Sequence, residues 1–144
     1  MVKIKVQKIK GNAIIPKYAH EGDAGVDLYS TEEYLLKPGD MVLVSTGIKV
    51  AIPKGYEGQI RPKSGLALKH GLSVVNTPGT IDSGYRGEVG IILINLGKKE
   101  YKIEAGKKVA QLIVNRVEEA TFEEVKELDE TSRNEGGFGS TGLH

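Results

Sequence analysis

Apolar positions in this chain come in short runs that stop at turn residues. Val2-Lys-Ile-Lys-Val6 alternates apolar and basic side chains. The runs Met41 to Ile52, Leu72 to Asn76, Val89 to Asn95 and Val109 to Val117 are rich in valine and isoleucine. Runs of this length and composition predict strands. They are separated by turn sequences such as Lys37-Pro-Gly-Asp40, Pro53-Lys-Gly55 and Glu104-Ala-Gly106, so the expected architecture is an all-β sandwich or barrel. Within the fourth run, Ile91-Ile-Leu-Ile94 is apolar at every position, which predicts a strand covered on both faces, either inside the core or against a partner subunit.

Three stretches depart from this pattern. In Ser64-Gly-Leu-Ala-Leu-Lys-His-Gly71 a serine able to cap a helix precedes helix formers, and a glycine stands where a left-handed C-terminal cap would fall. One short helix is expected there. Asn76 to Glu88 carries Pro78, Gly79 and Gly84 between two apolar runs, the mark of a hairpin-like excursion from the sheet. After Val117 the composition changes, with seven acids against one lysine in Glu118 to Glu130, and Phe122, Val125 and Leu128 spaced by three. That segment is either an amphipathic helix or an extended arm. The expected organisation is a β-domain over residues 1–117 followed by a C-terminal arm over 118–144.

Composition narrows the classes of function. The 144 residues suit one domain with a core of its own. Lys and Arg at 20 nearly balance Asp and Glu at 19, so no overall field draws the chain to nucleic acid or a membrane. With no cysteine there is no disulfide framework and no thiolate chemistry. No apolar run reaches the length of a signal peptide core or a membrane span, and the expected setting is soluble and cytoplasmic. The 19 glycines are about twice the ~7% usual share, and without a repeat they imply many turns.

Chemistry gathers in three places. The first turn of the helix at Ser64 offers N–H groups beside Arg61 and Lys63; it is either a compact anion site or simply a capped connector. The excursion presents Asp82 and Tyr85 three residues apart. Such an aspartate either bonds its own turn or aims a carboxylate into a pocket walled by Tyr85. The segment Gly137-Phe-Gly-Ser-Thr-Gly142 has the G-x-G-x-x-G spacing of a dinucleotide loop, but only two residues follow, so the helix that motif requires cannot form. It is either a frayed tail or a clasp, with the backbone of Gly137, Gly139 and Gly142, the hydroxyls of Ser140 and Thr141, and Arg133 around a phosphate and Phe138 on a flat ring. Together these groups outline a nucleoside triphosphate site. His20, His70 and His144 stand alone, so a divalent ion would arrive with the phosphates, as Mg²⁺ keeping most of its waters.

The same residues resemble the homotrimeric dUTPases (dUTP pyrophosphatases). Ala24-Gly-Val-Asp-Leu28, Arg61-Pro-Lys-Ser-Gly-Leu-Ala67, Gly79-Thr-Ile-Asp-Ser-Gly-Tyr-Arg-Gly87, Gly106-Lys-Lys-Val-Ala-Gln-Leu-Ile113 and Arg133-Asn-Glu-Gly-Gly-Phe-Gly-Ser-Thr-Gly142 look like the family's five motifs in order. The resemblance implies a jelly-roll-like β-barrel or sandwich subunit with one short helix and a C-terminal arm, three copies sharing three active sites. It also implies hydrolysis of dUTP to dUMP and pyrophosphate, which keeps uracil out of DNA and supplies dUMP for thymidylate synthesis. Asp82 then matches the group that orients and deprotonates the attacking water. Ser64, Gly65 and Gln111 match phosphate contacts, as do Arg61 and Lys63, with lysine standing where the second motif usually has arginine. Asp27 matches the acid that reaches the Mg²⁺ shell through water. Asn76 and the backbone of Thr80 and Ile81 match the uracil-reading groups. Tyr85 matches the ring that packs on deoxyribose and leaves no space for a 2′-hydroxyl. Arg133, Gly139, Ser140 and Thr141 match the γ-phosphate clasp, and Phe138 the ring stacked on uracil. Gly84 replaces a frequent second acid of the third motif.

The nearest alternative is dCTP deaminase, alone or combined with dUTPase activity. That family's catalytic glutamate lies on the strand after the hairpin, whereas Val89 to Asn95 holds no acid and Glu88 precedes it. The other alternative is a non-catalytic nucleotide-binding protein, against which the presence of both Asp82 and the fifth motif argues.

Overall fold

The computed structural model describes residues 1–144. Ten strands and one helix follow in order: β1 Lys5–Lys8, β2 Gly25–Tyr29, β3 Tyr34–Leu36, β4 Met41–Ala51, β5 Tyr56–Arg61, α1 Ser64–His70, β6 Leu72–Val74, β7 Gly79–Ile81, β8 Glu88–Asn95, β9 Tyr101–Ile103 and β10 Lys108–Arg116. One four-stranded sheet has the order β1-β4-β8-β6 and the other β2-β10-β5-β7, with β3 and β9 forming a separate pair. Every pairing is antiparallel. The two sheets enclose one core, the β-sandwich expected from the runs and turns and the jelly-roll-like arrangement that the resemblance implies.

Alternation sets the core. Along β8, Val89, Ile91 and Leu93 are buried while Gly90, Ile92 and Ile94 are only partly covered. Val44, Val50, Leu72 and Val74 join them from the same sheet, and Leu28, Ile60, Ile81 and Leu112 oppose them from the other. Within the chain, then, Ile91 to Ile94 is fully covered on one face only; the outward face of Ile92 and Ile94 lies beside Met41 and Leu43, which are exposed.

In β4 the register shifts between Ser45 and Lys49. Gly47 occupies this bulge with φ of 69°, and a Cβ there would fall 2.9 Å from both Ala13 Cβ and Thr31 Cγ2. Only glycine meets both conditions. Asn95 at the end of β8 is fully buried. Its amide donates to the carbonyls of Leu36 (3.0 Å) and Lys99 (2.9 Å) and accepts the Gly97 N–H (2.8 Å).

Two expectations need correction. Ser64 does not cap the helix: the capping position is Lys63, without a side-chain bond, and Ser64 is the first helical residue. The exit is as expected, with Gly71 at φ of 70° donating its N–H to Ala67 O. The stretch from Asn76 to Glu88 is not a simple hairpin between β6 and β8. Those strands pair with each other, and the chain between them crosses to the second sheet, where β7 pairs with β5. Of the two forms open to the segment after β10, the structure has the arm: no helix or strand forms, and Phe122 and Leu128 lie in the open with relative exposures of 96% and 84%.

Candidate functional site

Crossing between sheets is what builds the first cleft. Asn76 lies in the crossing segment, Thr80 and Ile81 are on β7, and Asp82 begins the turn closed by Tyr85 N–H to Asp82 O at 3.1 Å. Together with Gly79 and Tyr85 these residues line a cleft of about 140 Å³. Gly79 leaves room for the Asn76 amide, since a Cβ there would sit 3.2 Å from Asn76 Nδ2. Other turn aspartates tie up their own loops: Asp23 accepts the His20 N–H at 2.9 Å and Asp40 the Lys37 N–H at 2.8 Å. No such bond engages the Asp82 carboxylate. It stands between the cleft and a larger recess of about 680 Å³ lined by Lys54, Glu57, Ser83 and Glu118 among others. A carboxylate with free lone pairs at a cleft wall can hold and deprotonate a water.

The second cleft, about 270 Å³, is lined by Asp23, Gly25, Asp27, Lys63 and Gln111 among others. Strand register assembles it: Gln111 on β10 lies opposite Asp27 on β2 and opposite Arg61 on β5. Lys63, at the turn into α1, reaches Asp27 Oδ1 at 2.5 Å, and Lys108 reaches Oδ2 at 2.9 Å. Burial by itself would raise the Asp27 pKa, but hydrogen bonds from Lys63 and Lys108 and their charges outweigh it and hold the carboxyl below its ordinary range. The Arg61 guanidinium donates to Gln59 Oε1 at 3.1 and 2.7 Å. Ser64 and Gly65 open α1, where the leading N–H groups have no intrahelical partner, and a Cβ at Gly65 would meet nothing within 4 Å. The recess itself holds one cation, Lys63, with two carboxylates, Asp23 and Asp27; Arg61 and the open N–H groups of Ser64 and Gly65 flank Lys63 in the chain without lining the recess, and donors of these kinds suit an anion such as a phosphate.

The structure brings Asn76, Thr80, Ile81, Asp82 and Tyr85 together, and separately Asp27, Lys63 and Gln111, with Arg61 beside Gln111. The two clefts share no lining residue. Arg133, Phe138, Gly139, Ser140 and Thr141 join neither. They lie in local turns: Gly136, Ser140 and Gly142 donate to the carbonyls of Arg133, Gly137 and Gly139, and Arg133 Nε donates to Gly136 O at 2.7 Å. The Gly142 N–H is therefore not bare, as the glycine spacing suggested. Phe138 is fully exposed at φ of 47°, a strained region for an aromatic residue.

Two participants escaped sequence reasoning. Lys108 clamps Asp27, a pairing that depends on the β2–β10 register. Glu88 accepts the Ser45 hydroxyl and the Gly47 N–H (2.9 Å), tying the start of β8 to the bulge of β4. Lys10 bonds the same Ser45 hydroxyl at 2.8 Å and Glu32 at 2.6 Å. The Gly-Glu pair at 87–88 was the available signal, but nothing local distinguishes an anchoring glutamate from a solvated one.

No group of three or more histidine or carboxylate side chains is placed to hold a metal ion. The second cleft holds two carboxylates, Asp27 and an Asp23 that accepts the His20 N–H, a donor set that fits a cation bound mainly by water and by oxygens of its own ligand.

The chain is similar to proteins of one family. The dUTPase family profile matches residues 11–142. The deoxyuridine 5′-triphosphate nucleotidohydrolase of Clostridium novyi (strain NT) is 60% identical over 142 residues, covering 99% of this chain and 100% of the relative. Among solved structures, a Staphylococcus bacteriophage 80alpha dUTPase with dUPNHPP superposes with a TM-score of 0.92 at 29% identity, covering 98% of this chain and 99% of that one. A mutant dUTPase from phage phi11 of S. aureus, described with a structural Mg(II) ion, superposes at 0.82 with 28% identity over 87% of this chain and 97% of that one.

Proposed function

The chain belongs to the dUTPase family, and from that premise we propose that it hydrolyses dUTP to dUMP and pyrophosphate, at sites each completed by more than one copy of the chain. The observation that carries this reading is the cleft in which the unengaged Asp82 carboxylate faces Asn76 and Tyr85. Uracil pairs with the Asn76 amide and the backbone of Thr80 and Ile81, and the deoxyribose packs on Tyr85. Asp82 holds a water in line with the α-phosphorus and takes its proton as the water attacks. An ordinary carboxylate is a weak base, so its main contribution is placement. Ser64, Gly65, Gln111, Arg61 and Lys63 receive the phosphates and stabilise the charge that develops there. Arg133, Gly139, Ser140 and Thr141 close over the γ-phosphate, with Phe138 over the base.

Mg²⁺ would be held through water by Asp27 and would supply electrostatic neutralisation of the phosphates. Release of Lys63 from Asp27 toward the phosphates accompanies substrate entry in this reading. The homotrimer is supported by the separation of the two clefts and by the outward face of the first sheet. There Met41, Leu43, Val75, Ile92 and Ile94 form a partly or fully exposed apolar surface.

Glu88 is the first residue of β8 and lines the Asp82 cleft, rather than standing ahead of that strand as expected; deamination of dCTP stays disfavoured because the Glu88 carboxylate is engaged by Ser45 and Gly47. The experiment is incubation with dUTP, dCTP, dTTP and UTP in the presence of Mg²⁺, following pyrophosphate and ammonia. Pyrophosphate from dUTP alone is the expected result. Ammonia from dCTP, or tight dUTP binding without turnover, would sink the reading.

A further inference from the structure

The wall of the Asp82 cleft is held from behind. Tyr85 is half-exposed, and its phenol donates to the Glu88 carbonyl at 2.8 Å. Beneath the ring lies Gly87, where a Cβ would fall 2.6 Å from Tyr85 Cζ and 2.9 Å from Cε2, with the phenol oxygen closer still. The backbone at Gly87 is not left-handed. The chain conformation therefore admits a side chain at 87, but one placed there displaces the phenol end of Tyr85. The carbonyl that receives the phenol is itself fixed, because the Glu88 carboxylate is bound to the Gly47 N–H and the Ser45 hydroxyl in the bulge of β4. From the turn side, the Arg86 guanidinium holds the carbonyls of Ser83 (2.8 Å) and Tyr85 (2.9 Å).

We infer that Gly87 and Glu88 are specificity-determining positions: a bare seat and a fixed acceptor that set the height of the Tyr85 ring and so whether the cleft admits a 2′-hydroxyl. This rests on the reading of the cleft as the nucleoside site of a dUTP hydrolase. An aromatic side chain swings about two torsions. A hydrogen bond to the Glu88 carbonyl and a close backbone approach at Gly87, both at its phenol end, restrict that freedom without any covalent link. Steric rejection of a single hydroxyl depends on displacements of about the size of a methyl group, which a close-packed wall supplies and a swinging one does not. A side chain at position 87 lifts the ring from its seat and separates the phenol from the Glu88 carbonyl.

The test is steady-state kinetics of the full-length protein with dUTP and with UTP, alongside thermal unfolding. For Gly87→Ala the ratio of kcat/KM for dUTP to that for UTP is expected to fall about tenfold. The unfolding midpoint is expected to move by only a few degrees, since alanine fits this backbone. A general structural defect lowers both substrates in proportion, so an unchanged ratio overturns the inference whatever happens to the midpoint. Tyr85→Phe keeps the ring and removes the donor. It is expected to lose part of the same ratio, and it decides the matter if the alanine variant does not fold; there too an unchanged ratio overturns the latch. A wild-type protein that fails to turn over dUTP, or that takes UTP equally well, counts instead against the proposed function, so the two failures are separable.

Discussion

At the scale of single residues, Asp82 and Asp27 are both carboxylates beside clefts, and their surroundings give them different work. Asp82 has no internal partner, so its oxygens are free for a water. Asp82→Asn is expected to retain dUTP binding, measured by calorimetry, and to lose turnover by about 10²–10⁴-fold, the usual range for a removed general base; an active variant would remove Asp82 from the mechanism. Asp27 is clamped by Lys63 and Lys108 and its pKa is lowered. A carboxyl whose folded pKa lies below its unfolded value stabilises the fold fully above the ordinary carboxylate pKa, about 3.9, and loses that contribution as pH falls through the lower folded value. Urea unfolding across pH 3 to 6 should therefore show a flatter acid limb in Asp27→Asn than in the wild type. Equal slopes would mean that the two lysines do not stabilise the ionised form.

At the scale of elements, the long Val- and Ile-rich runs are the strands the pattern predicts, within one to three residues at their ends. The short strands β2, β3, β5, β7 and β9 were not legible. Tyr56-Glu-Gly-Gln-Ile-Arg61 is mostly polar, and three-residue strands such as Gly79–Ile81 have no period to read; they are strands because a neighbour supplies the ladder. For the same reason the excursion looked like a hairpin, whereas pairing of β7 with β5 puts Asn76 and Asp82 at the second sheet. The end of β8 depends on Asn95, whose amide satisfies three backbone groups in the interior. Asn95→Ala would leave two carbonyls and one N–H without partners and is expected to cost about 2–4 kcal/mol in chemical denaturation. A change below about 0.5 kcal/mol would show that water replaces the amide without loss.

At the scale of the whole molecule, the isolated chain is too open for its mass. It exposes 10593 Å², against about 7,200 Å² for a compact monomer of this mass. The segment after Arg116, which forms no helix or strand and leaves Phe122, Leu128 and Phe138 bare, contributes to this excess, and the first sheet adds an apolar outer face at Met41 and Leu43. Leu43→Glu, a change at an exposed position, is expected to leave the subunit folded and shift its mass in light scattering from trimer to monomer, with loss of dUTP turnover. A trimer that survives this charge would place the interface elsewhere. Removal of residues 133–144 is expected to abolish most activity with no change in oligomeric state or unfolding midpoint; full activity would make the segment a mere tail. The sequence by itself determined the β class, the single short helix, and the residue types needed for a triphosphate, because alternation, turn chemistry and side-chain identity are local properties. Tertiary structure alone decided that Gln111 stands beside Asp27 and Arg61, that Lys108 joins Lys63 on one carboxylate, and that Glu88 and Gly87 seat the Tyr85 ring. Those contacts are made by strand register and by a crossing between sheets, which bring together residues far apart in the chain and leave no trace in local pattern.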